Sequence, residues 1–282
     1  MTTAVSAPTT SGGALHYRHT LPVRLMHWIN VVALTIMFMS GLSIFNAHPA
    51  LYWGKSSYTG RPPIVEIRGL QAGNGELRGV TRVFGHEFDT TGVLGVSADR
   101  AGNPAVRGFP WWLTIPDNQW LSMARTWHFF FAWIFVLNGL AYIAWTVGSR
   151  HLARDLAPDK NDLRSIGQSI RDHLRLRHPA GEAAKRYNVL QKIAYLKVIF
   201  VLLPLAILMG FAMSPWANAI WPGWIDIVGG RQSARTIHFV VAWLLVAFVF
   251  IHLFALIVAG PWNHLRSMIT GRYRVPTEAG HE

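Results

Sequence analysis

The sequence predicts an all-α integral membrane protein, a four-transmembrane-helix bundle with a long extracytoplasmic insertion between helices 1 and 2. Three observations predict it. Half of the 282 residues, 51%, are hydrophobic and only 14% are charged. The apolar residues gather in four runs, 25–44, 124–147, 190–213 and 236–259, none of which contains an acidic residue. Runs of this length, at about 1.5 Å per residue, reach about 30–36 Å and cross the hydrocarbon of a bilayer. Apart from Arg125, Lys192 and Lys197, the basic residues sit outside the runs, as topology rules require.

Residues 1–15 form a Thr/Ser/Ala/Gly tail expected to be disordered. Residues 1–17 lack a basic start and an apolar run, so the first helix is expected to act as its own insertion signal. Helix 1 carries His27 near its start. Residues 45–119 then make an insertion too long for a simple connection, with Pro62-Pro63, several glycines and a closing Phe109-Pro110-Trp111-Trp112. The insertion reads as a docking surface, or Trp111, Trp112 and Trp120 read as the aromatic belt of the outer interface.

After helix 2, the loop 148–188 holds Arg150, Arg154, Lys160, Arg164, Arg171, Arg175, Arg177, Lys185 and Arg186, which marks the cytoplasmic side. An amphipathic helix around 163–176 is expected to lie on anionic lipid headgroups. The connection between helices 3 and 4 has only Arg231 and Arg235, while Arg266, Arg272 and Arg274 follow helix 4. Both termini are therefore expected on the cytoplasmic side of the membrane. Residues 16–275 form the membrane domain and 276–282 a second tail.

The net charge of +12 does not imply nucleic acid, because no soluble basic domain is present to carry such binding. The chain has no cysteine, which excludes thioether-linked haem, thiolate-held iron–sulfur clusters and disulfides. Any redox centre must be held by histidine or methionine.

Histidines within the spans supply the chemistry. Residues 124–133 read Ala-Arg-Thr-Trp-His-Phe-Phe-Phe-Ala-Trp and 234–243 read Ala-Arg-Thr-Ile-His-Phe-Val-Val-Ala-Trp, agreeing at seven of ten positions. Helices 2 and 4 run in the same direction, so His128 and His238 fall at one depth near the outer face and can face each other. His252 follows His238 by fourteen residues, about 40° short of four full turns, on the same face and about 21 Å deeper. Helix 1 runs the other way and starts inside, which pairs His27 with His252. Two bis-histidine sites stacked across the bilayer would bind two b-type haems through neutral imidazoles. Zinc fits less well, since its sites draw three or four ligands together.

Arg24, Arg125 and Arg235 each precede one of these histidines by three residues, on the same helical face and one turn nearer the water. The repeated spacing points to contacts with haem propionates, although a single boundary arginine could equally snorkel. The entry to helix 3, Lys185-Arg186-Tyr187-Asn188-Val189-Leu190-Gln191-Lys192, is polar and cytoplasmic. It reads as a quinone headgroup site or as an ordinary helix start capped by Asn188. Gly41 and Gly139 could admit a macrocycle or serve helix packing.

At these residues the chain resembles the bacterial cytochrome b561 family, specifically the di-haem b subunits of nickel–iron hydrogenases, formate dehydrogenase-N and thiosulfate reductase-like complexes, over roughly residues 17–275. The resemblance implies that His27, His128, His238 and His252 are the haem ligands and that Asn188 lies beside a quinone. The stretch from Phe109 to Pro116 is similar to the thiosulfate-reductase-like branch, whose catalytic partner is often a molybdopterin oxidoreductase. The insertion departs from the compact hydrogenase pattern. The implied role is electron transfer between the quinone pool and an extracytoplasmic catalytic redox subunit. Two other readings are a stand-alone superoxide:quinone oxidoreductase and a histidine-using metal transporter. The absence of acidic residues from the spans speaks against the transporter.

Overall fold

The computed structural model describes residues 15–57, 61–73, 75–175, 187–221 and 223–275. The expected tails at 1–14 and 276–282 lie outside the described residues, as do Arg177, Lys185 and Arg186. Among the described residues, four helices are long and apolar enough to cross a membrane: α1 (Leu21–Asn46), α2 (Leu121–Gly148), α3 (Val189–Met213) and α4 (Arg231–Val258). Each starts one to five residues ahead of its apolar run, because backbone pairing continues past the hydrocarbon edge into the interface. Those added turns carry Arg24 and Arg235. Large apolar side chains on these helices, such as Phe250 at 68% and Ile257 at 65% exposure, suit hydrocarbon rather than water.

Helix α3 is not uniform. A π-helical turn at Val198–Leu202 interrupts it just before Pro204, which has no N–H to return to the preceding turn. A widened turn is a common way of accommodating that loss.

The chain divides into two compact units, one of residues 27–141 and 198–248, the other of 1–26, 142–197 and 249–282. In the first, the insertion departs from the all-α expectation. Strands β2 (Ala50–Leu51), β3 (Val65–Gln71), β4 (Leu77–Val83) and β5 (His86–Asp89) make an antiparallel sheet, and β6 (Gly95–Ala98) pairs with β7 (Pro104–Arg107) as a separate hairpin. The reason is a period of two: Val65, Ile67 and Gly69 alternate with Glu66, Arg68 and Leu70, and Glu66 stands opposite Arg82. Gly79 lets the hairpin come close, since a Cβ there would meet Leu94 O at 2.1 Å. Leu42 and Phe45 of α1 share a core with Leu51, Ile67 and Phe109 of the insertion. Buried Asn46 exchanges two hydrogen bonds with the Phe109 backbone, its Oδ1 accepting at 2.6 Å and its Nδ2 donating at 3.2 Å.

The segment 48–54 is tied to the first turns of α4. Gly54 O accepts from the N–H groups of Gln232 and Ser233 at 3.0 and 3.2 Å, which satisfies two amides that a helix start leaves unpaired. Ser233 Oγ accepts from Gly54 N at 2.8 Å, and Thr236 Oγ1 donates to Tyr52 O at 2.7 Å. Arg235 donates to the carbonyls of Ala50, at 3.0 Å, and His48.

In the second unit, β1 (Leu15–Tyr17) pairs antiparallel with β8 (Arg272–Arg274), so Leu15, assigned above to the tail, opens a strand instead. The amphipathic stretch forms two short helices, Lys160–Arg164 and Ile166–Leu174, the first held by a capping box between Asp159 and Asp162. Lys192 Nζ meets Asp162 at 2.7 Å. The Arg18 guanidinium lies between the rings of Tyr187 and Tyr273, 5.5 and 4.7 Å from their centroids.

Candidate functional site

Histidines His128 and His238 are each the eighth residue of a 28-residue helix, so the repeated motif gives them the same place on α2 and α4. The structure brings them together: their ring centroids are 6.2 Å apart and their planes cross at 66°. His128 Nδ1 is 2.9 Å from Met37 O of α1 and 3.2 Å from Ser40 Oγ. His238 Nδ1 is 2.9 Å from Ala206 O of α3. A carbonyl only accepts, so in each ring Nδ1 carries the proton and donates it. That leaves Nε2 of both imidazoles with its lone pair, the form in which histidine binds a metal, with the other nitrogen held by an outer partner.

The donor set fits haem iron. His128 and His238, with ring centroids 6.2 Å apart, are the residues that would hold it. Among the described residues no group of three or more His, Cys, Asp or Glu gathers to hold a metal ion. A pair of neutral nitrogens is what a macrocycle that brings its own four nitrogens requires, and it is poor for zinc.

An aromatic cluster stands beside the pair. Phe45 contacts Phe239 at 4.8 Å between centroids, and Trp243 lies edge-on to Phe38 at 5.4 Å, so apolar rings flank α4 just after His238. Asn138 Nδ2 donates to Asn30 Oδ1 at 2.8 Å between α2 and α1, a polar contact inside the membrane-spanning segments that sequence reading missed.

The remaining expected residues are distributed as follows. His27 lies ten residues before Met37, about 15 Å along α1, with its ring edge-on to Trp28. His252 belongs to the second unit, where its ring faces Tyr195 at 6.4 Å between centroids. Arg125 is exposed near the start of α2, over the ring of Phe129 at 5.7 Å. Arg24 donates through Nη1 to Ile269 O. Asn188 caps α3: its Oδ1 accepts from Leu190 N at 2.9 Å, Gln191 Oε1 accepts from its N–H at 3.2 Å, and its Nδ2 reaches Ser169 Oγ at 3.3 Å. Gly41 faces the His128 ring, whereas nothing lies within 4 Å of a Cβ built at Gly139. Sequence reading also missed Met37, Ser40, Ala206 and Gly210. The available signal was a glycine four residues after Met37 and another four after Ala206.

Comparison with known proteins gives two kinds of likeness. The family model described as prokaryotic cytochrome b561 matches residues 18–271. Among curated proteins, the chain is 25% identical over 251 residues to "Putative protein-methionine-sulfoxide reductase subunit YedZ1" of Azospira oryzae, covering 88% of this chain and 93% of that protein. It is 24% identical over 269 residues to "Probable Ni/Fe-hydrogenase B-type cytochrome subunit" of Cupriavidus necator, covering 90% of this chain and 85% of that protein. No solved structure matches.

Proposed function

Because the chain belongs to the prokaryotic cytochrome b561 family, we propose that it is the membrane di-haem subunit of an oxidoreductase complex, carrying electrons between the quinone pool and an extracytoplasmic catalytic subunit. The observation that carries this reading is the His128–His238 pair, with both Nδ1 atoms held by helix carbonyls and 6.2 Å between ring centroids. Bound there, haem b would supply one-electron redox chemistry. His128 and His238 would hold it through Nε2, with the carbonyls of Met37 and Ala206 fixing their tautomer and the apolar rings of Phe45, Phe239 and Trp243 nearby.

A second haem, held by His27 and His252, follows from the fourteen-residue spacing on α4 and from the family resemblance. Arg125 and Arg235, one turn nearer the water than His128 and His238, are candidate partners for the outer propionates, and Arg24 for the inner ones. The two relatives are named as subunits of a reductase and of a hydrogenase, which supports a catalytic partner of molybdopterin-oxidoreductase or hydrogenase-like type. The basic loop supports a cytoplasmic setting for both termini and for the helices at 160–174, against the lipid of the bacterial inner membrane, with the β-structured insertion outside.

The purified protein is expected to carry two non-covalent b haems per chain, with low-spin bis-histidine spectra and complete extraction by acid acetone. A stoichiometry of one, or haem that resists extraction, overturns the di-haem reading.

The family resemblance supports a quinone beside Asn188, which also caps α3. Aspartate keeps an oxygen for the cap but loses the amide donor. Asn188→Asp is therefore expected to leave expression and both haem spectra unchanged while slowing quinone-linked haem oxidation and reduction. Losing one hydrogen bond worth about 0.5–1.5 kcal/mol corresponds to roughly two- to thirteen-fold. Stopped-flow kinetics measure it, and unchanged rates move the quinone elsewhere.

A further inference from the structure

The two imidazoles of the outer pair are received in the same way by different helices. Met37 on α1 accepts from His128, and Gly41 stands four residues later; Ala206 on α3 accepts from His238, and Gly210 stands four residues later. In an α-helix the carbonyl of residue i already accepts from the N–H of residue i+4. The Cβ of residue i+4 tilts back toward the N-terminus and so leans over that carbonyl. Glycine at i+4 bares the carbonyl's second lone pair. A Cβ built at Gly41 would lie 3.4 Å from His128 Cε1 and 3.6 Å from its Nδ1. One at Gly210 would lie 3.7 Å from His238 Cε1 and 4.0 Å from its Nδ1. A methyl group would just touch each ring, and a branched side chain would displace it.

The notch on α1 has one addition. Ser40 is fully buried and its hydroxyl donates to Ile36 O at 2.7 Å, so the oxygen is turned to accept from His128 Nδ1 at 3.2 Å. The two halves of the site thus share a plan and differ by a single hydroxyl.

We propose that Gly41 and Gly210 are positioning residues whose notches bare the carbonyls of Met37 and Ala206, fixing the Nδ1–H tautomer of His128 and His238 and the crossed setting of their rings around one haem iron. The proposal rests on the haem reading above for its last clause, while the tautomer and notch stand on the chain alone. Crossed axial imidazoles give a ferric low-spin haem a highly anisotropic electron paramagnetic resonance signal, and near-parallel ones give a rhombic three-line signal.

The test has two arms. In the haem-free full-length protein, nitrogen-15 spectra of labelled histidine are expected to show His128 and His238 as Nδ1–H tautomers; Nε2–H tautomers would overturn the notch. In the haem-loaded protein, the signal that His128→Ala abolishes is expected to be of the highly anisotropic type. Gly41→Ala and Gly210→Ala should retain it, whereas Gly41→Val and Gly210→Val should lose it in favour of a rhombic or high-spin signal, with the other haem's signal unchanged. Wild-type signals in both valine variants overturn the positioning role. Failure to bind haem defeats the functional reading instead, and the first arm still decides the tautomers.

Discussion

Replacing both His238 and His252 with alanine is expected to leave the chain without haem, because α4 contributes one ligand to each proposed site. His128→Ala should remove only the outer haem, and His27→Ala only the inner one. The magnitude is all or none at each site, because the variant leaves only one of the two imidazoles that would hold the haem there. Pyridine haemochrome assays on purified variants, normalised to protein, read the stoichiometry directly as two, one or none. Two haems with unaltered spectra in His128→Ala would show that the pairing at 6.2 Å between centroids is not a ligand pair.

The second large effect is expected at Arg235. Its guanidinium spans the carbonyls of His48 and Ala50, and both bonds are lost in Arg235→Ala. Hydrogen bonds to charged groups are each worth about 1.5–3 kcal/mol, so roughly 3–6 kcal/mol should go from the attachment of the insertion. Hydrogen exchange at the amides of 48–54 should accelerate by about two to four orders of magnitude while exchange in α2 stays slow. Arg235→Lys restores the charge but not the fork that reaches two carbonyls, and should rescue only in part.

His48 reports on the same contact. Burial, and next the charge of Arg235, hold its pKa below the ordinary histidine value. Removing the arginine should raise that pKa, leaving it still depressed by burial. In the parent protein the unfolded chain takes up this proton first as pH falls through about 6.5, so the His48 contribution to stability declines below that pH. Unchanged exchange in Arg235→Ala would mean that the insertion is held without Arg235, by the other bonds of 48–54 to α4.

How much of this was legible in the sequence depends on the length scale of the signal. The four spans follow from runs of twenty or more apolar residues, and the helices differ from them only at their ends, where lipid no longer sets the limit. The repeat around His128 and His238 is a ten-residue motif, and it placed two histidines that the fold does bring together. The strands of the insertion are shorter, and their alternation of Val65-Glu66-Ile67-Arg68 passes unnoticed in a count of apolar runs. The acceptors Met37 and Ala206 could not be read at all, because any residue offers a carbonyl and only the fold selects one. Asn188 illustrates the opposite limit. Its position before α3 was legible, but its capping bonds account for it without a ligand.

The ties between segment 48–54 and the start of α4 bear on how relatives of this protein can be recombined. Six hydrogen bonds join the two, among them the pair that closes the open amides of Gln232 and Ser233. Gly230 belongs to the same fit, since a Cβ there would fall 2.7 Å from Gly54 O. The insertion therefore cannot be exchanged as a cassette between α1 and α2 without uncapping the helix that bears His238. A chimera that imports another protein's outer region has to move 48–54 and 230–236 together, although some 180 residues separate them in the chain. Natural variation in this region should obey the same rule, with changes in the first turn of α4 accompanying changes at the root of the insertion.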